Sequence, residues 1–420
     1  MHLKIPRLYD SHTHFLATGE FSKRKSLKSL QSADEISTLE FSQADQRGDF
    51  YLGFGWDESA WSVKPHKNIL DKHFPGKAIY LPRQDGHTAW ASSKALELLG
   101  VQSETGILSE DVHLKAWDSL PDYSDEQYEK HLLNATAIYN QAGFTHVRDM
   151  SGTEKLWQVL QSMVDKKNLT LAVEENFTCH NLQDFETALK AAQYCKAHQN
   201  AQMRSQGVKV FFDGSLGSET ALLSEPYGAD PTRGKGRVSW SLEDLEVVLK
   251  RTWKEKLEVS VHVIGDEAVH QIVSLARKIS AQGAVGRLNL EHAQMVRPDT
   301  LKMMKPLHVR AYMQPCHWWS DRVWIKEKLR PLYAHAFPWE NLRGIGVPLF
   351  WGCDSPIEPS SFWANINAVK ESAKDGIKAF KGDAMACHSH PDETFAPSFT
   401  VFDDQTEKLE EVNFLGQKII

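Results

Sequence analysis

Cysteine is scarce and unpatterned in this sequence of 420 residues: Cys179, Cys195, Cys316, Cys353 and Cys387 are odd in number, and no two form a CxxC pair. A disulfide framework is therefore not encoded, and the thiols suit a reducing compartment. Long apolar runs are missing too. Nowhere do 18 apolar residues follow one another, and the N-terminal stretch MHLKIPRLYDSHTHF has no apolar signal core. Neither secretion nor membrane spanning is expected, and a cytoplasmic location is. Charge of one sign is not concentrated either, since 48 Lys and Arg against 55 Asp and Glu leave a net charge of −7 without a block of like sign. Nucleic acid and membrane are thus not the partners this distribution predicts. No internal repeat or low-complexity segment stands out.

What the chain does have is the composition of a globular protein, 41% hydrophobic and 25% charged, with an unusual load of 19 histidines and 13 tryptophans. Polar aromatics in that number suit a large pocket for a small-molecule substrate. Short β-branched runs near residues 8–15, 145–149, 169–177, 207–212, 258–264, 288–291, 309–313 and 348–352 read as eight strands. Helical patterns fill the gaps, for example residues 242–256 with Leu245, Val248, Leu249 and Trp253 on one face, and 268–281 with Val269, Ile272, Val273 and Ala276. Strand alternating with helix in this way predicts an α/β protein built on a (β/α)8 TIM barrel over residues 8–360. Between the first and second strands, about residues 39–139 form an insertion too long to be an unstructured loop, expected to fold as a cap over the barrel mouth. Residues 1–7 with 395–420 are expected to form a reduced small β domain, because 398–403 and 412–420 read as two strands around a polar turn.

His12-Thr13-His14 lies at the end of the first predicted strand. An i, i+2 pair on a strand turns both imidazoles to one face, and two neutral ring nitrogens so placed suit Zn²⁺ or a similar divalent ion. At the ends of later strands stand Lys209 in GVKVFFDGS, His262 in VSVHVIGD, His292 in LNLEHAQ and Asp354 in FWGCDSP. Strand ends in a barrel converge on its C-terminal mouth, so these six residues are expected to meet. A lysine set among Val208, Val210, Phe211 and Phe212 is a buried lysine rather than a surface one, and burial demands a partner or a modification. Taken singly, His262 and His292 read as core histidines; at strand ends following HxH, they read as ligands.

These residues resemble the amidohydrolase superfamily, metal-dependent hydrolases on a distorted TIM barrel. The finer likeness is to amidohydrolase family 3, the YtcJ-like branch that includes N-substituted formamide deformylases. It is carried in order by GFGWDESAW, RQDGHTAWASSKAL, GFTHVRDM, VKVFFDGSLGSETALLSEPY, HVIGDEAV, LEHAQ, QPCHWWSD and GCDSPIEP, and spans about residues 8 to 360. The resemblance implies one or two divalent metal ions, Zn²⁺ first among them. His12 and His14 with Asp354 would hold one ion, His262 and His292 the other, and Lys209, carboxylated by CO₂, would bridge the two. Asp354 would also take the proton of an attacking water, giving hydrolysis of a C–N bond of amide or N-formyl type. His87 and His317 look like the family's pocket residues, although either could be a structural loop histidine. Trp56, Trp90, Trp318 and Trp319 could line an apolar substrate pocket or belong to the core. Asp213 and Asp266 are expected to orient ligands. Homodimers are common among such hydrolases, and no motif here decides that point.

Departures from the family pattern are visible. His12 follows only eleven residues, where family members carry a longer β-strand segment before the HxH, and Glu219 and Glu267 stand where Arg is common in GSRTA and GDRAV. A mononuclear deaminase of the same superfamily is the main rival; it is disfavoured because His262-Val263-Ile264-Gly265 lacks the glutamate of an HxxE motif. A non-catalytic barrel relative would have lost ligands, and here all six are kept.

Overall fold

The computed structural model describes residues 2–59 and 61–420. The chain forms two compact units, one of Met1–Leu16 with Ala135–Ile420 and one of Ala17–Asn134.

In the first unit the β-branched runs become eight parallel strands: β1 (Tyr9–Thr13), β2 (His146–Gly152), β3 (Ala172–Thr178), β4 (Met203–Phe211), β5 (Glu258–Val263), β6 (Leu288–His292), β7 (Val309–Met313) and β8 (Leu349–Trp351). They are hydrogen-bonded in chain order from β1 to β8. Each overlaps a run that the sequence predicts as a strand, and their apolar residues, such as Val208, Val210, Val259, Val261, Leu288 and Leu290, are buried. The helices follow their local signals equally well. Ser241 caps Leu242–Lys254 by accepting from the Asp244 amide, acids fill its first turn and bases its last, and Leu245, Val248, Leu249 and Trp253 are buried. Asp266–Ala281 likewise buries Val269, Ile272, Val273 and Ala276.

Two backbone details shape the barrel interior. The β3–β4 register slips so that Glu175 pairs Ser205 while Asn176 pairs Gly207, leaving Gln206 as an extra residue. Such a bulge breaks the strict alternation of a strand. Gln206, whose Oε1 accepts from Arg148 Nε at 2.7 Å, and fully buried Lys209 consequently turn the same way although three residues apart. The other detail is the seam between β8 and β1. Here the Asp354 amide donates to the His12 carbonyl at 2.8 Å, and the Asp10 carboxylate accepts from the Cys353 amide at 2.9 Å. A Cβ on Gly352 would fall 2.6 Å from His12 N, so only glycine lets the two strands approach this closely.

The start of the chain, His2–Pro6, pairs antiparallel with Ser398–Asp403, which continues into Leu409–Phe414 and Gln417–Lys418 to complete a small separate sheet.

The second unit starts at Ala17, well before residue 39, because Glu20 and Arg24 both bond the Tyr123 hydroxyl, at 2.5 and 2.9 Å. It is built on short strands including Phe50–Phe54, Ala78–Pro82, Thr88–Ala91 and Ile107–Ser109. Trp56 and Trp90 are core here, packed with Leu27, Ile36, Trp61 and Leu81, and Trp56 donates its indole N–H to the Leu81 carbonyl at 2.7 Å. Among the described residues no helix is long and apolar enough to cross a membrane.

Candidate metal centre

The C-terminal ends of the barrel strands bring five of the six expected ligands into one cluster, buried except for half-buried His14, and bury the sixth, Lys209, within electrostatic reach of it. His12 Nε2 lies 3.4 Å and His14 Nε2 3.3 Å from Asp354 Oδ1, while Asp354 Oδ2 is 4.0 Å from His292 Nδ1. The His292 ring centroid is 4.6 Å from that of His12 and 4.5 Å from that of His262. One ligand atom each from His12, His292 and Asp354 can be drawn within 4.8 Å of one another. Lys209 is buried with its Nζ over the Phe211 ring, 4.7 Å from the centroid. It feels Glu291 and Asp354 as its nearest opposing charges. His317 Nε2 completes the ring of groups, 3.4 Å from Asp354 Oδ2.

Two of these residues are held in strained backbone. His292 and Asp354, at the ends of β6 and β8, have φ of 68° and 58°, the left-handed region that a residue with a Cβ seldom occupies. Strain of this kind collects where side-chain direction matters more than local comfort.

Each imidazole is oriented through its other nitrogen. His12 Nδ1 is 2.6 Å from Glu291 Oε2; a carboxylate can only accept, so the hydrogen sits on Nδ1 and the lone pair on Nε2. His292 Nδ1 is 2.8 Å from Gln314 Oε1. The orientation of that amide is settled because its nitrogen donates to the Tyr312 carbonyl at 3.2 Å. His262 Nε2 donates to the Gly214 carbonyl at 3.1 Å, and His14 Nδ1 meets Ser151 Oγ at 2.6 Å. Beneath His12, Arg148 grips Glu291 with two parallel bonds of 2.8 and 3.1 Å, and both side chains are fully buried.

The electrostatics follow from these contacts. Burial works against a charged Asp354, but His12, His14 and His317 outweigh it and hold the carboxyl well below the usual carboxylate range. Burial, helped by the neighbouring His262 and His12, pushes His292 well below the ordinary imidazole value. Lys209 is pulled down to about 8 by burial, against the opposing pull of Glu291 and Asp354. Burial also opposes ionisation of Glu291, yet Arg148 and His12 bring it to about 2. The centre therefore presents an ionised carboxylate, Asp354, beside an imidazole, His292, that burial keeps neutral. His12 Nε2, Lys209 Nζ, His317 Nε2 and Asp354 Oδ1 are buried and have no hydrogen bond. The His12 nitrogen and the Asp354 oxygen, buried and without hydrogen bonds, are donors of the kind that fits a divalent ion.

The amidohydrolase family model matches residues 4–374. The chain belongs to that family. YtcJ of Bacillus subtilis, whose name assigns it provisionally to the amidohydrolases, is 27% identical over 380 residues, covering 84% of this chain and 70% of its own. The Arabidopsis thaliana protein LONG AFTER FAR-RED 3 is 26% identical over 416 residues, covering 89% of this chain and 68% of its own. The crystal structure of an uncharacterized metal-dependent hydrolase from Pyrococcus horikoshii superposes with a TM-score of 0.71 at 26% identity, covering 93% of this chain and 78% of that one.

In this amidohydrolase several expected roles are redistributed. His87 lies in the second unit, with its Nδ1 2.9 Å from Glu110 Oε2. Asp213 accepts three backbone amides, from Leu222, Ile264 and Gly265, and approaches His262 Nε2 only to 3.9 Å. Asp266 takes the amide and hydroxyl of Ser224, at 2.9 and 2.6 Å, and so fastens the loop after β4 to the start of the helix Asp266–Ala281. Trp318 is buried, while Trp319 is 47% exposed beneath Arg322. Glu219 and Glu267 do not simply reverse the local charge, since Glu219 pairs with Arg233 and Lys328, and Glu267 with Arg297 at 2.6 Å. Sequence reasoning assigned no role to Glu291, Arg148, Gln314 or Gln294. The signal available was a charged residue inside each of two apolar strand runs, VRDM and LEHAQ, since buried charges are almost always paired.

Proposed function

We propose that this amidohydrolase is a divalent-metal hydrolase that cleaves a C–N bond of a small molecule, of amide or N-formyl type. The observation that carries the reading is the set of buried, unbonded atoms His12 Nε2, Asp354 Oδ1 and Lys209 Nζ. His292 lies close enough to share one point with His12 and Asp354. In a core built for stability alone such atoms find partners. In this reading His12, His14 and Asp354 serve one end of the centre, His262 and His292 the other, and Lys209, carboxylated on Nζ, joins them. Complete burial and an amine lowered to about 8 favour the neutral form that reacts with CO₂. When bound, the ion, with Zn²⁺ first among the candidates, supplies Lewis acidity that polarises a carbonyl and acidifies water.

The chain's own groups do the rest. Asp354, kept ionised by its imidazole neighbours, receives the proton of the attacking water on a carboxylate oxygen and hands it to the leaving nitrogen. His317 accepts from the Gln294 amide on Nδ1 at 3.1 Å, so its hydrogen is on Nε2, facing Asp354. From there it steadies the carboxylate or a substrate oxygen. His87 enters this reading as a substrate contact on its motif alone.

One observation favours a single ion over two: the three ligand atoms that come within 4.8 Å belong to His12, His292 and Asp354, from both ends of the expected pair. Metal analysis of protein purified without chelator is expected to give one to two divalent ions per chain and decides between the versions. Metal-replete protein is expected to hydrolyse at least one of a panel of N-formyl amines, N-acyl amino acids and cyclic amides, and to lose that activity on chelation. No metal uptake from Zn²⁺ or Mn²⁺ would end the proposal.

A further inference from the structure

Arg148 and Glu291 form a charged clamp beneath His12 that reaches most of the barrel. Arg148 Nε donates to Gln206 on β4, Nη1 to the Ser11 carbonyl on β1, and Nη2 to Ser260 Oγ on β5, at 2.7, 3.2 and 2.6 Å. Its remaining N–H groups grip both oxygens of Glu291 on β6, and its Cζ lies over the Tyr312 ring on β7, 3.8 Å from the centroid. Every donor of the guanidinium fork is thus committed, and the fork cannot turn. Glu291, fixed in turn, still has a free acceptor position on Oε2, and His12 Nδ1 occupies it at 2.6 Å.

We infer that Glu291, locked by Arg148, is the positioning residue that sets the tautomer and direction of the His12 donor, and that it thereby governs how tightly the centre holds its metal. This rests on the reading of His12 as a metal ligand. The geometry argues against mere packing. An ion pair needed only for stability would be complete with the two Arg148 bonds, whereas here the carboxylate makes its shortest contact with an imidazole whose opposite nitrogen has no hydrogen bond and faces Asp354 at 3.4 Å. A carboxylate behind a ligating imidazole fixes the ring and makes its far nitrogen a better donor. The other end of the cluster is built differently, since His292 is backed by the neutral amide of Gln314. The anionic support is therefore placed at His12.

Glu291→Gln preserves shape but removes the charge and turns an amide N–H toward either Arg148 or His12. Zn²⁺ affinity of the metal-free full chain, measured by competition with a chromophoric chelator on samples matched for folded content by circular dichroism, is expected to fall about 10–100-fold. Arg148→Lys, which keeps the charge and loses the fork, is expected to weaken Zn²⁺ binding in the same direction by less, and decides the matter if Glu291→Gln does not fold. A folded Glu291→Gln protein that binds Zn²⁺ within twofold of the wild type would overturn the inference while leaving the proposed metal centre standing. The same holds for an unchanged Arg148→Lys protein where that variant decides. A wild-type chain that binds no Zn²⁺ would instead overturn both.

Discussion

Arg83 in the second unit and Lys209 in the barrel are both buried cations, yet their surroundings are opposite. Arg83 is enclosed by Asp57, Glu58 and Asp85 at 2.6, 2.8 and 2.6 Å, so its charge is more than balanced. Lys209 Nζ has no hydrogen-bond partner at all. A cation satisfied on every side holds a structure together, whereas one buried without a hydrogen bond carries a stability cost. The contrast extends beyond these two residues. The second unit packs Trp56, Trp61 and Trp90 into an apolar cluster, whereas the barrel mouth gathers imidazoles and carboxylates whose pairings are incomplete.

The strongest way to break the contrast is at Asp354. Asp354→Asn removes the base but keeps most donors, so turnover is expected to fall by about 10²–10⁴-fold while at least one metal stays bound; near-normal kcat in that variant would take Asp354 out of catalysis. A matched pair sharpens the comparison. Arg83→Met leaves three carboxylates facing one another and is expected to cost about 2–3 kcal/mol, less than the ~3–5 of a fully buried pair, because Asp57 is 46% exposed. Lys209→Met is expected to lose activity without lowering the urea midpoint of the metal-free protein, since it removes an unpaired buried amine. Equal destabilisation by the two would erase the distinction.

A smaller effect tests what the units share. Burial lowers His388 and His113 to about 4 each, His113 also through His87, and burial with His390 nearby lowers His146 to about 3. His113 belongs to the second unit and the others to the first. Their folded values lie below the unfolded value near 6.5, so the unfolded chain binds protons more readily over that interval. Stability is thus complete above pH ~6.5 and declines on acidification toward pH ~4, at up to about 1.4 kcal/mol per pH unit for each group. Melting temperatures at pH 7.5 and pH 5 check this, and His388→Gln is expected to flatten the dependence. A melting temperature that rises on acidification would contradict it.

Much of the barrel was legible because short apolar runs alternate with amphipathic helical stretches, and Lys209 stood out within one such run. The HxH pair and the strand-end residues were legible as a group because alternate residues of a strand share a face and strand ends converge on one mouth. The support beneath them was not. Arg148 and Glu291 lie on β2 and β6, strands that are not neighbours in the sheet, and no periodicity in a sequence announces a contact made across the inside of a closed sheet. Trp56 and Trp90 illustrate the opposite difficulty, since an aromatic residue suits a pocket and a core equally and only packing separates them. The start of the second unit was hidden because Glu20 and Arg24 are anchored by Tyr123, about a hundred residues later in the chain.

The seam of the barrel has a consequence for how the protein comes into being. The first strand, leading into His12 and His14, is synthesised well before β8 and Asp354, which lies against it. The intervening chain includes a whole second unit. A product that stops before β8, or one whose sheet has not come round to meet its own beginning, has no carboxylate between its histidines and no second side to the cluster. Competence of the centre is therefore a certificate of completion: only a chain that has been made through its last barrel strand and has closed upon its first can assemble the full set of donors.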